Sequence, residues 1–166
     1  MKILNNILID DIIIKHISET DLRQENILNF IKLLDNDFIP PLSLRTNISR
    51  WSEKLYRKSI VLLALRKNVP NKIIGILCFY ANNSNNLYSY IPFLGISKKH
   101  RRMGLARLML NECFIILKKN NFKTIGVKTE NNNSALEIYK KLGFKEIERL
   151  FNNEKNYLSV YLVKTL

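Results

Sequence analysis

Glycine, proline and cysteine are all scarce in this 166-residue chain, and so is negative charge. Five glycines and four prolines exclude a collagen-like or Gly/Pro-rich disordered chain. Two cysteines, Cys78 and Cys113, exclude a disulfide scaffold. Both lie in apolar contexts without a second Cys or a His at metal-ligand spacing, so no metal site is expected and a reducing compartment fits better than a secreted one. No apolar run reaches the roughly 20 residues of a membrane span. The stretch after Met1-Lys2 is interrupted by Asn5, Asn6, Asp10 and Asp11, and Ile60 to Leu65 is only strand length. A cytoplasmic protein with no membrane partner is expected. Its length is that of a single domain, 1–166, which buries about 70% of the unfolded chain's surface.

Against 14 acids stand 27 lysines and arginines, a net charge of +13. Charge of this size raises the question of nucleic acid or a phosphate-bearing ligand. Heavy use of Asn, Ile and Lys, as in Asn82-Asn83-Ser84-Asn85-Asn86, spreads positive charge over the whole surface. Net charge by itself therefore names no partner, no nucleic acid is expected, and a functional patch has to be argued locally.

Hydrophobic periodicity divides the chain into two halves. Leu8 to Ile17 reads as a β-branched strand with Asp10 and Asp11 at an edge or bulge. Helical spacing follows from Leu22 to Leu34 and again from Ser43 to Arg57, on either side of an extended Pro40-Pro41. Ser59 to Arg66, Ile73 to Tyr80 and Leu87 to Ile96 are strands joined by turn-rich links. Pro92 and Gly95 within the last of them mark a bulge or an opening. The second half alternates: helix Leu105 to Leu117, strand Thr124 to Thr129, helix Ser134 to Leu142 ended by Gly143, then strands Phe144 to Phe151 and Tyr157 to Val163. That order implies a partly parallel sheet with right-handed crossovers.

Two segments carry chemistry. Lys98-Lys99-His100-Arg101-Arg102-Met103-Gly104-Leu105-Ala106 leads from the Pro/Gly-marked strand into a helix. Free main-chain N–H groups, the helix dipole and the close approach allowed by Gly104 make an anion site suited to phosphate or pyrophosphate. A Walker loop is excluded by the missing Gly-Lys-Ser/Thr ending. The second segment, Asn132-x-x-Ala135-x-x-x-Tyr139-x-x-x-Gly143-Phe144, places Ala135 and Tyr139 on one face of a short helix.

Together, Arg101-x-x-Gly104-x-Ala106 and this second motif resemble the GNAT superfamily of acyl-CoA-dependent N-acyltransferases. The resemblance is close from Ile73 to Phe151 and extends by element order over nearly the whole chain. It implies an α/β (α+β) fold: a single domain whose mixed central sheet of six to seven strands is flanked by about four helices and contains a splayed central strand pair. It also implies acetyl-CoA as co-substrate. Arg101, Arg102, Met103, Gly104, Leu105 and Ala106 would then wrap the coenzyme A pyrophosphate, and the backbone of Leu94, Gly95 and Ile96 would pair with the pantetheine arm. Asn132 would contact the cofactor near the thioester, and Tyr139 would hydrogen-bond or protonate the departing thiolate.

The implied reaction is direct attack of a neutral amine, without a cysteine intermediate. Relatives often carry a carboxylate base on the strand before the pyrophosphate loop, but Leu87 to Ile96 offers only Tyr88, Ser89 and Tyr90. Water, Glu130, His100, Asp37 and Glu53 are left as routes for the proton. For the acceptor, the cations and aromatics between Phe38 and Tyr56, with Arg45, Arg50, Trp51 and Lys54, suggest a small-molecule amine, first a nucleotide-linked amino sugar. Protein N-termini, polyamines and antibiotics are the alternatives. Two readings of another class are a basic nucleic-acid or ribosome-binding module, which would lack coenzyme A affinity, and a silent acyl-CoA sensor, which would release no thiol. The oligomeric state is not read from the sequence.

Overall fold

The computed structural model describes residues 7–9, 11–69, 71–83, 87–131, 133–153 and 157–166. Two short strands open the chain, β1 (Ile7–Ile9) and β2 (Ile12–His16), paired antiparallel. A single strand from Leu8 to Ile17 was the expectation. The chain instead reverses at Asp11, where an acidic side chain meets solvent and Arg66 rather than the core. Helix α1 (Gln24–Leu33) and helix α2 (Ile48–Lys58) follow. Helix α2 starts later than the expected Ser43, because Asn47 caps it by accepting the Arg50 N–H at 3.0 Å. Residues Leu42–Leu44 form a separate 3-10 turn.

Strands β3 (Ile60–Arg66), β4 (Ile73–Asn83) and β5 (Tyr88–Ile96) form an antiparallel meander with β2. Then come α3 (Leu105–Lys119), β6 (Thr124–Glu130), α4 (Ala135–Lys141), β7 (Lys145–Asn152) and β8 (Tyr157–Thr165). Among the described residues the sheet order is β1-β2-β3-β4-β5-β6-β8-β7, with β5 and β6 its parallel pair. The mixed sheet and four helices are those expected, and the eighth strand comes from the hairpin at Asp11.

Alternation along β3 divides the core. Val61, Leu63 and Leu65 face α1 and α2, joined by Ile27, Ile31, Leu55 and Phe93. Leu62 and Ala64 face the other side, where Met109, Leu110 and Cys113 of α3 and Leu136 of α4 pack. Leu55 is fully buried, and cutting such a side chain to alanine costs about 2–5 kcal/mol. Ser52 is buried too, accepting the Gln24 amide at 2.9 Å and so fixing α2 against α1. Among the described residues no helix is long and apolar enough to cross a membrane.

One departure from regular pairing positions the site. Strands β5 and β6 pair from Tyr88/Thr124 only as far as Ile91/Val127. Between the pairs Tyr80/Tyr90 and Cys78/Phe93, two residues of β5 stand opposite one of β4, a bulge at Ile91-Pro92. Pro92 has no N–H to offer a neighbouring strand. Beyond it β5 stays on β4 while β6 diverges, which is the splayed pair the resemblance implied.

Candidate active site

The divergence opens a cleft of about 700 Å³ between the end of β5, the start of α3 and the length of α4. Leu94, Gly95, Ile96, Arg101, Arg102, Gly104, Leu105 and Ala106 all line it. Of the expected loop residues only Met103 turns away, 55% exposed. Asn132 lies outside the described residues. Its neighbour Asn133 stands at the mouth of the cleft, where its side-chain oxygen accepts the Ala135 N–H at 2.9 Å and starts α4. The signal for Asn133 in the sequence is that of a cap, not of a ligand contact.

Local backbone shape explains why the loop can receive an anion. Arg102 and Gly104 adopt positive φ, 63° and 79°, so the chain turns sharply into α3 and leaves the first helical N–H groups directed out of the helix start. The Leu108 N–H is the first to bond back, to the Gly104 carbonyl at 3.0 Å. Gly95 is required for a different reason. A β-carbon there would meet Leu34 Cδ1 at 2.6 Å and Phe93 Cζ at 2.7 Å.

The positive charge of the loop is divided between the cleft and a neighbouring acid. Lys98 and Arg101 do not point freely at the cleft, because Asp37 engages both, Lys98 Nζ at 2.8 Å and the Arg101 guanidinium by a second oxygen. Burial pushes the Asp37 carboxyl up, but bonds and charge from Lys98 and Arg101 outweigh it and hold the group below its ordinary range. Arg102, Arg107 and Lys141 remain as cations on the cleft wall. His100 is buried, with Nδ1 2.7 Å from the Ser97 hydroxyl; burial first, then Arg66 and Lys72, lower its pKa.

A second cavity, about 260 Å³, adjoins the first, and Phe38, Leu94, Asn133 and Ala135 line both. Its walls are apolar and polar in equal measure; the apolar part comes from Leu42, Trp51, Ile91 and Phe93, with Trp51 edge-on to Phe93 at 5.6 Å between ring centres. Polar groups gather at one side: Tyr139, Glu130, Asn133 and Arg45. Tyr139 is buried, its ring packed edge-on against Phe144 at 5.3 Å. Burial raises its phenol well above the ordinary value, with Tyr90, Cys113 and Glu130 adding to the effect, so it remains protonated.

Glu130 and Arg45 form a buried ion pair across this cavity. Arg45 is held further by its Nε bond to the Pro40 carbonyl at 2.8 Å and lies over the Phe38 and Tyr157 rings at 5.9 and 5.3 Å. Of the four side chains considered for the amine proton, Glu130 is the one on this cavity. His100 and Asp37 line the larger cleft, and Glu53 is exposed and paired with Arg57. Both cysteines are fully buried, with the Cys78 thiol pushed up to about 12 by burial, so neither is a nucleophile.

Known proteins resemble this chain in sequence and in fold. Over 138 residues the chain is 28% identical to N-alpha-acetyltransferase 30 of Saccharomyces cerevisiae, covering 79% of this chain and 76% of that protein. It is 31% identical over 142 residues to N-alpha-acetyltransferase 50 of Danio rerio, covering 82% and 77%. The crystal structure of NAA60 from Arabidopsis thaliana in complex with acetyl-CoA superimposes with a TM-score of 0.72 over 93% of this chain and 99% of that one. At 16% identity that likeness speaks to the fold alone. Residues 27–144 match the acetyltransferase (GNAT) family, and the chain belongs to that family.

Proposed function

We propose that the chain transfers the acetyl group of acetyl-CoA to the α-amine of a peptide or protein N-terminus. The observation that carries this reading is the junction of the two cavities at Phe38, Leu94, Asn133 and Ala135, the larger lined by cations at the start of α3 and the smaller by apolar side chains beside Glu130 and Tyr139. The residues of the larger cleft fit coenzyme A: main-chain N–H groups at the start of α3 and the side chains of Arg102 and Arg107 for the pyrophosphate, and the backbone of Leu94 to Ile96, released from β6, for the pantetheine amides. Bound there, the thioester supplies an activated acetyl carbon.

The groups beside the junction then have separate tasks. Glu130 takes a proton from the acceptor ammonium, leaving the neutral amine that attacks. Main-chain N–H groups of the diverging β5 meet the negative charge that develops on the carbonyl oxygen. As the new C–N bond forms and the C–S bond breaks, Tyr139 gives its proton to the departing sulfur, and the second proton that the attacking nitrogen loses on becoming an amide restores the phenol. Burial that raises the phenol also raises a thiol leaving in the same surroundings, so the two stay matched.

The relatives described above are named for N-alpha acetylation, which favours N-termini over the nucleotide-linked amino sugar that the cations near Arg45 first suggested. In this reading Phe38, Leu42, Trp51 and Phe93 receive a large apolar first side chain. The test is thiol release from acetyl-CoA across a panel of peptides differing in the first residue, with nucleotide amino sugars, polyamines and aminoglycosides alongside. Turnover confined to peptides with an apolar first residue is expected. Turnover on a sugar or polyamine instead removes the proposal.

A further inference from the structure

Asp37 closes the 3-10 turn that follows α1, and its side chain is only 6% exposed. One carboxylate oxygen receives Lys98 Nζ at 2.8 Å and the other the Arg101 guanidinium. Through Nε the same guanidinium donates to the Ile96 carbonyl at 2.9 Å. A single planar group thus joins the last residue of β5, the loop entering α3 and the segment after α1. From Asp37 the chain passes directly into Phe38, which lines both cavities and packs on Phe93 at 6.0 Å. Asp35 closes that segment on itself, its carboxylate accepting the Ser43 N–H at 2.8 Å and hydroxyl at 2.7 Å.

We propose that Asp37 is a positioning residue for acetyl transfer, holding the coenzyme loop in its ligand-binding shape and coupling that loop to the wall of the acceptor cavity. The proposal rests on the two-cavity reading given above. Charge alone argues the opposite. An acid lining a cleft for pyrophosphate repels the ligand, so by Coulomb's law its removal tightens coenzyme binding. Here the carboxylate is enclosed by two cations that it fixes in place, next to a loop whose turn at Arg102 and Gly104 depends on where its flanks are held. Loss of Asp37 therefore weakens binding, and the sign of the change separates positioning from bulk electrostatics.

Asp37→Asn, which keeps the shape and removes the charge, is the perturbation. Three measurements are made on the full chain: calorimetric titration with coenzyme A, thiol-release kinetics with the best peptide, and amide hydrogen exchange over residues 38–45 and 97–104 without ligand. Exchange is expected to accelerate in both segments, and the coenzyme Kd to rise about tenfold, in line with the cost of small misplacements. Peptide KM should rise at saturating acetyl-CoA while kcat changes less. Asp37→Glu should recover part of the loss, and Asp37→Asn combined with Arg101→Gln should be no worse than the more damaging single variant. An unchanged or tighter coenzyme Kd, additive losses in the double variant, or unaltered exchange in both segments overturns the proposal. Should the unmodified chain bind no coenzyme A, the two-cavity reading falls, and the exchange comparison still decides the role of Asp37 in holding the two segments.

Discussion

Gly104 faces two demands that one pair of substitutions separates. Its φ of +79° lies in the left-handed region, where an ordinary L-residue costs about 1–2 kcal/mol. Yet a β-carbon at this position meets no atom within 4 Å, so nothing in the protein itself excludes a side chain. The open space belongs to the cleft, and in the proposed function it is filled by the pyrophosphate. Gly104→Ala meets the backbone demand and the ligand together. For a chain of this length about 2–4 °C accompanies each kcal/mol, so its Tm should fall by about 2–8 °C. Asparagine tolerates positive φ far better, and Gly104→Asn should stay within about 2 °C of the unmodified protein. Both variants, however, place a side chain where the ligand comes closest, and both should lose at least about tenfold in coenzyme A affinity, or 1.4 kcal/mol. Thermal unfolding gives the first quantity and calorimetric titration the second. An asparagine variant that binds coenzyme A as tightly as the glycine protein refutes the reasoning, because φ alone would then account for the residue.

Other expectations follow from the neighbouring groups. Tyr139→Phe keeps the ring against Phe144 and removes only the proton donor, so kcat should drop by about 10²-fold with coenzyme affinity and Tm unchanged; full turnover removes Tyr139 from the chemistry. Glu130→Gln leaves Arg45 charged in a largely buried site and should cost about 2 kcal/mol, less than for a fully buried pair because Arg45 keeps some solvent contact. Adding Arg45→Gln should return part of that loss in denaturant unfolding, and strictly additive losses refute the coupling. His100 titrates below its ordinary 6.5 in the folded chain because it is buried among cations. The unfolded chain therefore takes up this proton first. The stability His100 contributes is complete above about pH 6.5 and is lost as pH falls toward the lower folded value. His100→Asn should flatten the acid side of a Tm profile, and an unchanged slope contradicts this.

Much of the molecule was readable in one dimension because its signals are local. The helix stop at Gly143, the bulge marked by Pro92 and the paired motifs around Gly104 and Tyr139 each lie within a few residues of the structure they specify. Long-range electrostatics were not readable. Asp37 and Arg101 are 64 residues apart and Arg45 and Glu130 are 85 apart, and nothing in the spacing of a charged residue names its partner. Hence the basic run from Lys98 to Arg102 looked like undivided charge for an anion, although the fold commits two of its members to Asp37. Glu130 shows the same difficulty in milder form. In the sequence it is one of several acids, and the fold places it, alone of them, on the second cavity. Asn133 does not stand out in the sequence, because a helix cap and a ligand contact draw on the same residue type.

The parting of β5 from β6 also sets a limit on how this protein can be improved. Continuing the ladder past Ile91 and Val127 would satisfy more main-chain groups, tighten the sheet and raise its resistance to heat. Pro92 stands where that zipper would have to start, and replacing it is the kind of change a stability-guided redesign would choose first. A successful repair would close both cavities and leave an inert sheet. Thermal hardening is better directed to the outer strands and the helices packed on either face, where no vacancy in the hydrogen-bond pattern is held open for a guest.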